Sequence, residues 1–324
     1  MLIFLSYLLL FVLNFAGGQD LLAFRSIRDQ QRLNLEPWNS HVWKEYLKCT
    51  VSTDIHIMHN CYIDVIHLHE RNLNSFYSKV GPMKARIGIV TYATSDILDY
   101  AIYGFAVNIA YAINNDHYIR LLDKSNLEEF TTELDLYDFR WNKVKIVELA
   151  TERFTSKVFE NWNQKVDYIM WIDADFIFLN MDMKVQELIG EFPSAHFFTS
   201  AGKAGNYFIC FSSLTCFRNI EHSGSSTLIN SGSFIVKNSL WGRNFLRQWW
   251  SHSDRKLFSD QEQFDLLFSH LMNNASQASK KSISKERIVI LNTNRINTDP
   301  PAMTKQTTSN TVLHLMVSCL ILLL

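Results

Sequence analysis

Two aspartates stand inside one of the most apolar runs of the chain, "DYIMWIDADFIFLN", Asp167 to Asn180. Asp173 and Asp175 are separated by one alanine, with Ile-Met-Trp-Ile before them and Phe-Ile-Phe-Leu after. Carboxylates buried that closely lose hydration and repel one another, at a cost of several kcal/mol unless something positive compensates. The run reads as a buried strand, and something positive is expected to meet the pair where it ends.

The segments before it agree. "RIGIVTYAT", Arg86 to Thr94, is a β-branched run ending in small polar residues, as a buried parallel strand feeding a loop does. "ILDYAIYGFAVNIAYAINN" has apolar residues at helical spacing and stops at Asn114-Asn115, and "HYIRLLD" is the next short strand. "RWNKVKIVELA" introduces a further segment, and "FTSKVFENWNQKVDYIMWIDADFIFL" runs from helix into strand. Strand and helix alternating in this way predict an α/β fold, a mostly parallel sheet covered by helices on both faces.

In such sheets ligands bind outside the carboxyl ends of the strands, where "YIMWI" would deliver Asp173 and Asp175. Residues two apart in an extended chain project to the same side, roughly 6–7 Å apart at the backbone. Two converging carboxylates suit a hard divalent cation, Mg²⁺ or Mn²⁺, with positions left open for phosphate oxygens. A pair of loop aspartates capping a helix would look the same in isolation; the flanking apolar residues favour the cation.

Length and composition set the frame for this site. The chain has 324 residues, enough for one large α/β domain or two small ones, and is 47% hydrophobic and 19% charged. A formal net charge of −1 and the lack of a Lys/Arg block argue against a general nucleic-acid binder. Met1–Ala16 is apolar and uncharged and is followed by small residues, as in a secretory signal peptide cut near Gly18 or a short uncleaved signal anchor. Cys49 and Cys61 lie close in sequence, as do Cys210 and Cys216, and each pair could close a loop in an oxidising compartment, with Cys319 left over. Reduced core cysteines are the alternative. Asn274-Ala-Ser276 is an N-glycosylation acceptor. Residues 20–80 show weak periodicity, and the spacing of His56, His59, His67 and His69 does not suggest a metal site.

Four stretches in order, "RIGIVTYAT", "DYIMWIDADFIFLN", "STLINSGSFIVKNSLWGRNFLRQWW" and "FSDQEQFDLLF", resemble the nucleotide-sugar glycosyltransferases with the GT-A fold. Within them the chain is similar to the retaining galactosyl-, mannosyl- and xylosyltransferases of glycosyltransferase family 34. The resemblance implies a signal peptide or anchor over 1–18, a stem over 19–84, a single GT-A catalytic domain over 85–315 and an apolar tail over 316–324. It implies transfer of a hexose or pentose from a nucleoside-diphosphate sugar to a glycan or glycoprotein acceptor in the ER or Golgi lumen. The protein would be type II membrane-anchored there, or secreted if the N-terminal segment is cleaved.

The family's roles carry over residue by residue. Asp175 would bind Mn²⁺ or Mg²⁺ directly, while Asp173 would contact the ribose side of the donor and share in ligation. Thr91 and Tyr92 would cradle the nucleotide. Trp141 and Lys143 resemble a Trp/Lys pair near it, although an ordinary surface lysine would look the same in sequence. Gly232 lets backbone approach a ligand, and the Asn230 amide is a partner for sugar hydroxyls, in what reads as a polar turn opening a strand. An acid-Gln pair beneath the donor sugar fits two registers, Asp260-Gln261 or Glu262-Gln263, and the sequence does not choose between them. "RINTDPPAM…TVLHLMV" resembles the closing segment, with His314 completing the metal shell, but "VSCLILLL" follows where the family has a loop.

Two other functions fit parts of the pattern. A degenerate, non-catalytic relative that binds sugar or nucleotide would account for the unusual C-terminal segment. An aspartyl-nucleophile phosphatase would use "DADFI", but that class carries its acid pair on the first core strand and a later Asp-Asp pair, which this chain lacks.

Overall fold

Strands buried on both faces pair in parallel, and three such strands build the first half of the sheet. The computed structural model describes residues 40–52, 54–80, 85–124, 139–151, 159, 162, 166–178, 180–201, 229–251, 259–277, 287–291 and 312–314. Ile87–Tyr92 (β1) pairs in parallel with Tyr118–Leu122 (β2) on one side and Tyr168–Ile172 (β3) on the other. Helix α3, Leu98–Asn114, makes the crossover from β1 to β2. It ends at Asn115, and the chain turns through Asp116 at φ 57, a left-handed conformation that aspartate tolerates. The starts of β1 and β3 are clamped by Arg86, whose Nη2 and Nε both donate to the Asp167 carboxylate at 3.1 Å.

The second half is mixed. Phe197–Ala201 (β5), Ile229–Lys237 (β6) and Ile288–Leu291 (β7) complete a sheet of order β2-β1-β3-β6-β5-β7 in which β6 alone runs antiparallel to its neighbours. The polar turn read from sequence at Asn230–Ser233 lies inside β6. Against β5 the register jumps there: Thr199 faces Phe234, and the next residue, Ser200, faces Asn230. The extra residues form a bulge beside β3.

Helices cover both faces, as expected for an α/β sheet of this kind. On one face lie α1 (Ser40–Cys49), α2 (Ile55–Val80), α3 and α5 (Val185–Gly190). On the other lie α4 (Asn142–Thr151), α6 (Leu240–Ser251) and α7 (Asp260–Gln277), packed through Trp162, Phe197, Phe234, Trp249 and Phe264. A 3₁₀ turn, Phe139–Trp141, leads into α4. Beyond β3, Phe176–Phe178 (β4) leaves the main sheet and pairs antiparallel with Val312–His314 (β8).

Residues 40–80 are where structure departs most from the weak periodicity of the sequence. They form two helices that pack into the domain core, joined by a Cys49–Cys61 disulfide. Helix α2 is capped by Asp54, whose carboxylate accepts from the backbone N–H groups of His56 and Ile57. Its apolar stripe is disguised because polar residues are buried along it. The Glu70 carboxylate accepts from the Trp162 indole at 2.8 Å and pairs with Arg120 Nη2 at 2.6 Å. His69 Nε2 lies 2.9 Å from the His117 carbonyl, so that nitrogen carries the proton. The N-terminal apolar run, Cys210, Cys216, Cys319 and the tail 316–324 lie outside the described residues. Among those described, no helix is long and apolar enough to cross a membrane.

Burial lowers the pKa of His69 to about 4, and burial together with the charge of Lys184 and its neighbour His69 lowers that of His117 to about 3. Both rings are therefore neutral in the folded chain while the unfolded chain takes up protons near pH 6.5. Their contribution to stability is complete above that pH and is lost as pH falls toward the folded values. Each ring should contribute a slope of up to about 1.4 kcal/mol per pH unit between roughly pH 6 and 4. Urea unfolding at stepped pH should show stability falling across this window and a shallower fall in His117→Asn. Equal slopes in the two proteins would contradict the assignment.

Candidate active site

The carboxyl ends of β1 and β3 and the start of antiparallel β6 meet at one rim of the sheet, and the sequence-predicted residues gather there. As β3 ends, the backbone N–H of Asp173 donates to Gly232 O at 2.8 Å, which stitches the acidic turn to the β6 bulge. The Asp173 carbonyl accepts from Phe176 N at 3.0 Å, closing a tight turn around Ala174 and Asp175. The Trp171 indole, on the same side of the chain two residues back, donates to Asp173 Oδ1 at 2.7 Å. Asp175 is half-buried.

At the centre is Lys143. Helix α4 is buried along nearly all its length, so Lys143 sits on a core-facing helix with its side chain 8% exposed. Its Nζ lies 3.3 Å from Asp173 Oδ1 and 3.4 Å from Asp260 Oδ2, and it also donates to the carbonyl and hydroxyl of Ser231 at 3.4 and 3.3 Å. The hydroxyl of Ser231 in turn donates to Asp260. Burial alone would depress the lysine's pKa. The charges of Asp173 and Asp260 and their hydrogen bonds outweigh that effect and raise it above the usual lysine value. The surface-lysine alternative is thereby excluded.

The two registers of the acid-Gln pair occupy different surroundings. Asp260 opens α7, is 2% exposed, reaches Ser231 and Lys143 with its carboxylate, and accepts the Trp249 indole on its carbonyl at 2.9 Å. Glu262 is exposed and folds back on Ser259, accepting from that residue's N–H at 2.8 Å and its hydroxyl at 3.0 Å while the hydroxyl receives Glu262 N–H. This is a capping box, a local helix-start device. Gln263 is buried and Gln261 half-buried.

The remaining candidates divide between this rim and the core. Thr91 is buried near the end of β1, and among the described residues its hydroxyl has no hydrogen-bond partner; Tyr92 follows it, half-buried. The Asn230 side-chain oxygen accepts from Gly232 N–H at 2.9 Å, which holds the bulge in shape. Trp141 is fully buried, edge-on to Trp250 at 6.4 Å, so its ring belongs to the core packing. His314 enters through backbone register: β8 sets it opposite Phe176, the residue after Asp175. Among the described side chains no group of three or more His, Cys, Asp or Glu is close enough to hold a metal ion. Sequence reasoning missed the Trp171 indole, which the i, i+2 spacing of a strand could have revealed. It also missed the link from Ser231 to Asp260, for which the sequence holds no signal.

No protein-family model matches the chain, and no curated protein does. Among solved structures it is similar to a glycosyltransferase involved in glycosylation of the major capsid of PBCV-1. The two share 13% identity over 71% of this chain and 94% of that one, with a TM-score of 0.47. It is also similar to the galactosyltransferase LgtC in complex with donor and acceptor sugar analogues. There the identity is 13% over 70% of this chain and 86% of that one, with a TM-score of 0.35. Overlaps this loose carry no assignment of function, which has to come from the residues at the rim.

Removing one charge from a buried ionic cluster leaves its partners uncompensated. Lys143→Met should cost about 3 kcal/mol of stability in urea unfolding, and Asp260→Asn in the same background should recover part of it. A loss below about 1 kcal/mol would mean that the cluster does not hold the rim together.

Proposed function

We propose that the chain is a metal-dependent glycosyltransferase that moves a hexose or pentose from a nucleoside-diphosphate sugar to a glycan or glycoprotein acceptor. The observation that carries the reading is the cluster of Asp173, Lys143 and Asp260 at the carboxyl rim of a mostly parallel sheet, with Asp175 in the tight turn by which the chain leaves β3. Carboxylates from β3 offer the hard oxygen ligands that Mn²⁺ or Mg²⁺ prefers. The β4–β8 pairing supports His314 as a further ligand, because its backbone stands across from the residue next to Asp175. Carboxylate and imidazole are donor types that such an ion takes, and substrate oxygens would have to complete its shell. Such an ion, when bound, stabilises the negative charge that develops on a departing nucleoside diphosphate.

The chain's own residues supply the rest. Asp175 and Asp173 would hold the ion, with Asp173 also turned to the donor. The unpartnered hydroxyl of Thr91 and the half-buried Tyr92 lie where the nucleotide would rest at the end of β1. Asn230 and Gly232 shape the bulge that would meet the sugar. Asp260, held by Ser231 and Lys143, is the carboxylate suited to support an oxocarbenium-like centre in a retaining reaction of the family 34 type. Its surroundings favour the Asp260-Gln261 register, since Glu262 is engaged in capping the helix.

The Cys49–Cys61 disulfide supports folding in an oxidising compartment. With the apolar Met1–Ala16 run as signal peptide or anchor, the reading extends to the ER or Golgi lumen.

A ligand that binds only the folded state raises its stability, by about 2.7 kcal/mol at one hundred times its Kd. Thermal melting with a panel of nucleotide sugars should therefore show one donor that stabilises the protein only when Mn²⁺ is present. Asp175→Ala should abolish that shift while far-UV circular dichroism shows the fold retained. Donor-induced stabilisation that persists in Asp175→Ala would remove the metal from the mechanism.

A further inference from the structure

At the opposite end of the sheet three basic side chains stand in a row on adjacent strands. Lys237 ends β6, His196 precedes β5 and Arg287 precedes β7. Their backbones are bonded in sequence: Lys237 N–H donates to His196 O at 2.8 Å, and His196 N–H donates to Arg287 O at 2.7 Å. Each outer cation lies over an aromatic ring. Lys237 Nζ is 5.8 Å from the Tyr168 ring centroid, and Arg287 Cζ is 5.7 Å from that of Trp241. Trp241 is held by stacking on Phe245 at 5.2 Å.

No carboxylate among the described residues pairs with Lys237 or Arg287. Asp167, whose neighbour Tyr168 is in register with Lys237, is occupied by Arg86. His196 lies between the cations, with its Nδ1 2.8 Å from the Ser239 hydroxyl. Burial, followed by the repulsion of Lys237 and Arg287, lowers its pKa to about 4, so it adds no positive charge near neutrality. The start of α6 faces the same rim and adds the partial positive charge of a helix N-terminus. Its first residue, Leu240, is 65% exposed.

We infer that this rim is a docking surface for an anionic bilayer, with Lys237 and Arg287 meeting lipid phosphates and Leu240 entering the headgroup region. The cations alone would suit any acidic partner. A protruding leucine flanked by Lys and Arg is the chemistry of the boundary between headgroups and acyl chains. The surface is independent of the proposed reaction. Ser231 and Lys237 are separated by roughly 20 Å of extended strand, so docking at this rim leaves the candidate active site facing away from the membrane.

The test uses the full chain with vesicles of phosphatidylcholine alone and with phosphatidylserine added. Neutral vesicles give the baseline set by the rest of the protein, including its apolar N-terminal run. Phosphatidylserine should increase partitioning by about five-fold for each cation engaged, and high salt should erase the gain. Lys237→Glu/Arg287→Glu should bind serine-containing vesicles no better than neutral ones, and Leu240→Asp should weaken binding to both. Far-UV circular dichroism and urea unfolding check that the variants fold. If charge reversal prevents folding, Lys237→Gln/Arg287→Gln takes its place with the same expected loss of lipid preference. The inference is overturned if the native chain shows no preference for phosphatidylserine or if the variant keeps it. It is equally overturned if soluble polyglutamate binds this rim while vesicles do not.

Discussion

One buried ammonium group joins the parts of this protein that matter. Lys143 reaches Asp173 from the first half of the sheet, Ser231 from the β6 bulge and Asp260 from the start of α7. Without a positive charge at that point, carboxylates brought in by separate elements would be buried close together, which folding does not tolerate. Without the carboxylates, the lysine would be forced toward its neutral form. The cluster fixes where α4 and α7 sit on the sheet, and so fixes the shape of the rim.

The surroundings of the cluster explain why it is built from so many different side chains. A buried carboxylate needs several donors, and here they come from unlike sources. Asp173 receives an indole and the lysine, while Asp260 receives a hydroxyl and the lysine and offers its carbonyl to a second indole. Trp171 and Trp249 thus tie the apolar core to the polar rim through their N–H groups. A site held this rigidly can keep its geometry while a nucleotide or an ion exchanges at its open edge.

Much of this was legible in the sequence because the strands are hydrophobic in an unambiguous way. β1, α3, β2 and β3 follow in the order that their apolar patterns indicate, and the acidic doublet falls at the strand end, as the topology requires. Residues 40–80 were not legible as helices because α2 buries His69 and Glu70 against partners distant in sequence, which blurs the helical stripe. The bulge in β6 reads as a turn because its polar residues satisfy each other and β3, a pairing no local pattern reveals. Choosing between Asp260 and Glu262 required the fold, since both are acids in one helical turn and only their partners differ. The burial of Lys143 was hidden for the same reason: a lysine on an apolar helix can belong to the core only if distant acids come to meet it.

We propose that the rim formed by β1, β3 and β6 holds a divalent ion against the diphosphate of a sugar donor. Its most direct test is anomalous X-ray scattering from crystals grown with Mn²⁺ and a nucleoside diphosphate. One strong anomalous peak is expected within ligation distance of Asp175, with the diphosphate on its open side and Lys143 still bonded to Asp260. No peak there, with the nucleotide bound elsewhere or not at all, would contradict it.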